Sequence, residues 1–129
     1  FVWIPYAEHL LRLAPDEKQE AVMELQRWLG WLYQFQGNYA RAKQLLEAAV
    51  RSSEAVFEPN HYNIGLYKNT LGWILKLTGE YQTAANYLEQ TLAIFIQHKG
   101  ENDVSVASAQ SNLALVYSDL GEYERARDL

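Results

Sequence analysis

Gly37-Asn38-Tyr39-Ala40-Arg41-Ala42 comes back 42 residues later as Gly79-Glu80-Tyr81-Gln82-Thr83-Ala84, and 42 residues after that as Gly121-Glu122-Tyr123-Glu124-Arg125-Ala126. A set of catalytic groups has no reason to recur at a fixed interval, whereas a structural unit that stacks on its own copies does. Around each glycine the apolar residues fall three and four apart, the period of a helix. Val22, Leu25, Leu29, Leu32 and Tyr33 precede Gly37, and Leu45, Leu46, Ala49 and Val50 follow it. Leu71, Ile74 and Leu75 precede Gly79, with Ala84, Ala85, Leu88, Leu92 and Phe95 beyond it, and Leu113, Val116, Tyr117 and Leu120 lead up to Gly121. Each copy therefore reads as helix, tight turn, helix. No segment alternates as a strand does, and no hairpin dipeptide appears.

The spacing predicts helices over about 2–14, 16–36, 39–57, 61–78, 81–98, 103–120 and from 123 onward. Gly37, Gly79 and Gly121 stand where a residue tolerant of positive φ ends a helix. Asn38 is an N-cap, while Glu80 and Glu122 complement the positive end of the next helix dipole. Pro59 and Gly100 stop the second helix of each copy, and Pro5 and Pro15 lie near helix starts, where a missing N–H costs little. A lone helical pair leaves its apolar stripe bare, and stacked pairs bury it between neighbours. The expected domain plan is a leading helix over 1–15, repeats over 16–60 and 61–102, and a truncated third repeat over 103–129, all in one continuous domain.

With 129 residues, 49% of them hydrophobic, the chain can bury a core and is not disordered by composition. Its formal charge of −5, with basic residues scattered rather than clustered, argues against nucleic acid and anionic membranes as partners. The absence of cysteine rules out disulfides and thiolate chemistry and leaves the redox compartment open. No apolar run approaches the roughly 20 residues that span a bilayer. Residue 1 is Phe, and the chain stops a few residues into a segment that ran on in earlier copies. Both ends read as cut, so a piece of a longer protein is expected.

The copies resemble the tetratricopeptide repeat. The first offers Gln26, Leu29, Gly30, Tyr33, Gly37, Tyr39, Ala42, Leu46 and Ala49. The second offers Lys68, Leu71, Gly72, Leu75, Gly79, Tyr81, Ala84, Leu88 and Thr91, and the third Gln110, Leu113, Ala114, Tyr117, Gly121, Tyr123 and Ala126. Departures from the pattern are Gln26, Lys68 and Gln110 where Trp is common, Leu75 for Tyr, and Thr91 for Ala. Gly30, Gly72 and Ala114 let a first helix approach its partner, and Ala42, Ala84 and Ala126 do so from the other side. The 42-residue period is similar to the longer repeat of kinesin light chains and of multidomain signalling ATPases of the NB-ARC/STAND type. Trp3-Ile4-Pro5-Tyr6-Ala7-Glu8-His9-Leu10-Leu11 resembles the helix ahead of the first repeat in those ATPases. The resemblance implies an all-α, right-handed α-solenoid of antiparallel helix pairs, a TPR-like superhelix in the cytoplasm whose first helices line a concave groove.

Projecting that groove onto the copies names Arg27, Trp31, Gln34 and Phe35, then Asn69, Thr70, Trp73, Lys76 and Leu77, then Ser111, Asn112 and Leu115. The projection also touches Glu24, Leu66, Ser108, Ser118 and Asp119. Trp31 and Trp73 stand one period apart and fit either of two roles, a platform for an elongated peptide or packing against neighbouring helices. Asn69 and Asn112 can hold a peptide backbone, and Arg27 and Lys76 can attract a carboxylate. Trp3 and Trp28 are expected in core or edge packing.

His9, His61 and His98 have no ligand spacing, so no metal is expected. The glutamates at 17, 20 and 24 and at 47, 54 and 58 read as solvated faces. Ser52 and Ser53 lack a nearby base, and no Gly-rich phosphate loop is present. The implied function is a protein–protein interaction module, a scaffold or ligand-sensing arm of a larger regulatory protein, with no cofactor and no catalysis. The alternative is a structural array that self-associates through exposed repeat ends, or whose groove its own chain fills.

Overall fold

The computed structural model describes residues 3–14, 16 and 18–121. The described residues form six helices: α1 (Trp3–Leu13), α2 (Glu20–Phe35), α3 (Tyr39–Val56), α4 (Tyr62–Leu77), α5 (Tyr81–Lys99) and α6 (Val104–Asp119). Their order and spacing follow the periodicity of the sequence. One boundary moves: α2 begins at Glu20 rather than at 16. Asp16 Oδ1 accepts the Lys18 backbone N–H at 2.9 Å, an Asx turn that holds this stretch out of the helix. The third copy's second helix, with Tyr123 and Ala126, lies outside the described residues, as does Pro15.

The turns inside the copies share one chemistry. Asn38 N–H bonds the Tyr33 carbonyl at 3.0 Å and Gly37 N–H the Gln34 carbonyl at 3.1 Å; Glu80 and Gly79 repeat this onto Leu75 and Lys76 at 2.9 and 3.1 Å. This is a Schellman closure, which needs a left-handed residue, and Gly37 and Gly79 supply φ values of 80° and 83°. Asn38 Oδ1 then caps α3 by accepting Arg41 N–H at 3.3 Å. Glu80 makes no side-chain cap bond; its carboxylate accepts Thr78 Oγ1 at 2.8 Å instead.

The chain divides into two compact units, residues 1–59 and 60–129. In the first, α2 and α3 form an antiparallel pair around Val22, Met23, Leu29, Ala42, Leu45, Leu46 and Ala49, all buried. Helix α1 leans on this pair through Ile4, its one buried residue. A bidentate ion pair ties it down: Arg41 of α3 donates to Glu8 of α1, with Nη2 to Oε1 at 2.6 Å and Nε to Oε2 at 3.2 Å. That hydrogen bond to Glu8 raises the Arg41 pKa further above its ordinary value.

In the second unit, α4, α5 and α6 bury Tyr67, Leu71, Ile74, Leu75, Ala84, Leu88, Phe95, Val106 and Val116. A methyl built on Gly72 would lie 2.7 Å from Leu88 Cγ, and one on Gly30 in the first unit 2.2 Å from Leu46 Cδ2. Both glycines thus make room for the same leucine, one period apart. Thr91, where the repeat pattern has Ala, is fully buried and satisfies its hydroxyl by donating to the Gly65 carbonyl at 3.3 Å.

Candidate interaction surface

Four of the projected groove residues lie on α2. Arg27 is half-buried; its Nη2 pairs with Glu24 at 3.0 Å and its guanidinium sits 5.0 Å from the Trp28 ring. Its Nε is buried without an acceptor. Trp31 is half-buried and stacks on Phe35, with ring centroids 4.8 Å apart and planes within 19°. Phe35 itself is 64% exposed. Gln34 lends its backbone carbonyl to the turn at Gly37.

The others lie on α4 and α6. Three pairs cross between these helices at one constant sequence offset of 43 residues. Tyr62 and Ser105 share a hydroxyl hydrogen bond at 3.0 Å, Asn112 Nδ2 donates to Asn69 Oδ1 at 3.3 Å, and Lys76 Nζ meets Asp119 at 3.3 Å. The rungs are seven residues apart on each helix, two turns, so they share a face. Trp73, half-buried, has Lys76 Nζ 5.3 Å from its ring. Thr70 Oγ1 donates to the Leu66 carbonyl one turn back at 3.2 Å. Leu77 is half-buried, Ser111 is exposed and Leu115 is 47% exposed.

These contacts bear on two expectations. Arg27 and Lys76 are not idle cations: each already holds a carboxylate of its own chain, Glu24 and Asp119. Trp3 and Trp28, expected in core or edge packing, are 71% and 57% exposed, which excludes the core and leaves the edge. Trp28 falls two residues beyond the buried Gln26, on the opposite side of α2 from the core. The rungs could not be read from the repeat period alone, because each partner stands one residue past its 42-residue equivalent. No group of three or more His, Asp or Glu residues able to hold a metal occurs among the described residues. Nor is any described helix long and apolar enough to cross a membrane.

The fold has close parallels among solved structures. TPR-like repeats of the kinesin light chain type from Podosopora anserina superpose with a TM-score of 0.90 at 21% identity, over 97% of this chain and 60% of theirs. BtubC (BKLC) of P. vanneervenii gives 0.84 at 26% identity, over 97% of this chain and 52% of that one. The TPR domain of Arabidopsis FLU gives 0.71 at 20% identity, with 82% and 86% covered. The chain thus spans little more than half the length of the first two. No curated protein matches it. These likenesses make the fold an all-α TPR-like solenoid of helix pairs. The sequence itself matches the tetratricopeptide repeat over residues 21–97, and again over 106–129. The chain belongs to the tetratricopeptide repeat family.

Proposed function

We propose that the chain is a protein-interaction module that takes an extended peptide or partner segment on the face of its first helices. Tetratricopeptide repeats generally serve as protein-interaction scaffolds, so the class follows from the family. The observation that carries it is the pair of half-buried tryptophans at equivalent positions, Trp31 beside an exposed Phe35 and Trp73 under Lys76. Half-open aromatic rings offer large contact area at little entropic cost, the profile of an interaction hot spot. Asn69 and Asn112 keep amide capacity beyond their mutual bond, enough to bond a peptide backbone. Lys76 is neutralised by Asp119 and Arg27 by Glu24, so the partner segment is uncharged or mixed in charge rather than acidic. This module acts in the cytoplasm as a scaffold, or as the ligand-sensing arm of a larger regulatory protein such as an NB-ARC-type ATPase, and not as an enzyme.

Trp31→Ala and Trp73→Ala proteins, titrated calorimetrically with a partner peptide selected from a display library against the unaltered protein, are expected to bind at least 10-fold more weakly. Unchanged affinity in both removes this face from the reading.

A second reading rests on α1. Trp3, Tyr6, Leu10 and Leu13 are 71%, 58%, 40% and 66% exposed and recur three and four residues apart. Such a stripe favours an array that self-associates through this helix. Sedimentation of a Leu10→Glu, Leu13→Glu protein separates the readings: a concentration-dependent dimer lost in the variant supports self-association, and a monomer in both disposes of it.

A further inference from the structure

Helix α1 is in register with the second helices of the copies. Shifted by the 42-residue period, residues 3–13 become 45–55 of α3 and then 87–97 of α5. Ile4, Leu46 and Leu88 correspond, and all three are buried. Trp3 and Leu10 correspond to Leu45 and Ser52, and Leu10 again to Ile94, each buried where it stands. In α3 and α5 that row lies against the first helix of its own pair: a methyl built on Gly30 would be 3.7 Å from Leu45 Cβ, and one on Gly65 3.0 Å from Ile94 Cγ2. On α1 the same row is exposed.

A second bare row runs along α2. On α6, positions 105, 112 and 119 take the rungs from α4. Two periods earlier stand Ala21, Trp28 and Phe35 of α2, all exposed. In the second unit α4 lies against both α5 and α6. In the first unit α1 has the register of α5 and α2 that of α6, and no described helix of that unit stands where α4 would. The two exposed rows thus border one helix-wide space, of the kind a stacked helix fills.

Charge selects what fills it. The row that α4 turns to α6 is Tyr62, Asn69 and Lys76, and all three are already engaged. Its counterpart on α2 is Glu20, Arg27 and Gln34, and on α6 Val104, Ser111 and Ser118. Only the row on α6 is uncharged throughout, as is the row of Ala21, Trp28 and Phe35 that it would meet; an ionic row would be buried there without partners. Helix α6 carries no charge from Val104 to Ser118, and Val104 and Ser111 are exposed. Serines opposite an indole and a phenyl ring set small side chains against large ones, which lets the helices approach. By the period, 123–129 correspond to 39–45 and α1 to 45–55, so the chain beyond α6 in one copy and α1 of the next meet end to end rather than compete.

We infer that α6 of a second copy fills this space, so that copies join head to tail. This contact rests on the self-associating reading of α1 and gives that helix a different surface as its partner. It is heterologous and does not close on itself, so copies add beyond two.

Sedimentation velocity of the unaltered chain should show a weight that rises past the dimer with concentration. Trp28→Glu spoils the receiving row and Ser111→Glu the inserted one; both residues are exposed, so the fold is kept, which far-ultraviolet circular dichroism checks. Each variant alone should be monomeric, with self-affinity at least about 10-fold lower, because a lone carboxylate is buried in the contact. The two mixed should form a 1:1 dimer that grows no further, since one intact contact remains between them. If either variant still associates as the unaltered protein does, the head-to-tail contact is wrong while self-association through α1 stands. A mixture that stays monomeric, or that grows beyond two, also overturns it. An unaltered protein that stays monomeric to about 1 mM overturns both.

Discussion

Replacing Gly72 by Ala tests whether this glycine is there for room. The added methyl would lie 2.7 Å from Leu88 Cγ, 2.8 Å from Leu88 Cδ2 and 3.4 Å from the Ala84 carbonyl oxygen. Carbon atoms pack best at about 3.5–4.0 Å, so the methyl is short of space by about an ångström. Leu88 has no exposure and cannot swing outward. Overpacking of this kind costs about 1–3 kcal/mol. Alanine recovers about 1 kcal/mol of helix propensity over glycine, leaving a net loss of about 0–2 kcal/mol. Leu88→Ala alone should cost about 2–5 kcal/mol, because it empties a fully buried leucine site. In that background the colliding atoms are gone, the new methyl partly refills the void, and Gly72→Ala should now stabilise by about 1 kcal/mol. The two changes are thus coupled by about 1–3 kcal/mol with a reversal of sign. Urea unfolding of the four proteins of the cycle, followed by far-ultraviolet circular dichroism, measures this directly. If Gly72→Ala shifts stability by the same amount and in the same direction in both backgrounds, close approach is not why position 72 is glycine.

Asn38→Ala should destabilise by about 0.5–2 kcal/mol through loss of the cap on α3, and more than Glu80→Ala, since Glu80 caps nothing with its side chain; the same urea assay ranks them. Glu8→Gln removes the charge from the bridge between α1 and α3. Hydrogen exchange should then rise about 10-fold or more in α1, while the α2–α3 pair stays protected, because α1 buries only Ile4 otherwise. The Asp103 carboxyl is held below its ordinary pKa first by the Ser105 backbone N–H, 2.9 Å away, then by the Ser105 hydroxyl and the Lys99 charge. A depressed carboxyl contributes stability that is complete above its ordinary value and lost as pH falls through the lowered one. Asp103→Asn, which has no charge to lose, should accordingly lower stability in the neutral region and leave the strongly acid end nearly unmoved, flattening the stability–pH curve between them, as acid titration of thermal unfolding would show.

Much of this fold is written locally. Helix ends fall within a residue or so of the apolar pattern wherever a glycine or proline punctuates it, because backbone freedom at Gly37 or Gly79 is a property of the residue itself. The start of α2 escaped because Asp16 captures the Lys18 N–H, a choice between helix and turn that periodicity cannot see. The need for glycine at 30 and 72 was legible from the repeat, and the leucines that demand it occupy matching positions. The candidate face was legible only as positions. Arg27 meets Glu24 one turn back on its own helix, but that Lys76 was already matched depended on a partner 43 residues away, set by how α4 and α6 lie against each other. Trp28 was open to a better reading, since counting round the helix from Leu29 and Gln26 turns it outward. Gln26 was visible as a departure from the pattern, but that its buried side-chain oxygen has no hydrogen-bond partner is a fact of the packing around it.

The three rungs between α4 and α6 have a bearing on how such arrays can be rebuilt. A hydroxyl pair, an amide pair and an ion pair follow one another along the contact, so a neighbouring helix must present the matching chemistry at all three heights. Apolar packing alone would accept any repeat of the right shape. With the rungs in place, neighbours carry an address, and shuffling or duplicating repeats within this array should cost order unless positions 62, 69 and 76 travel together with 105, 112 and 119.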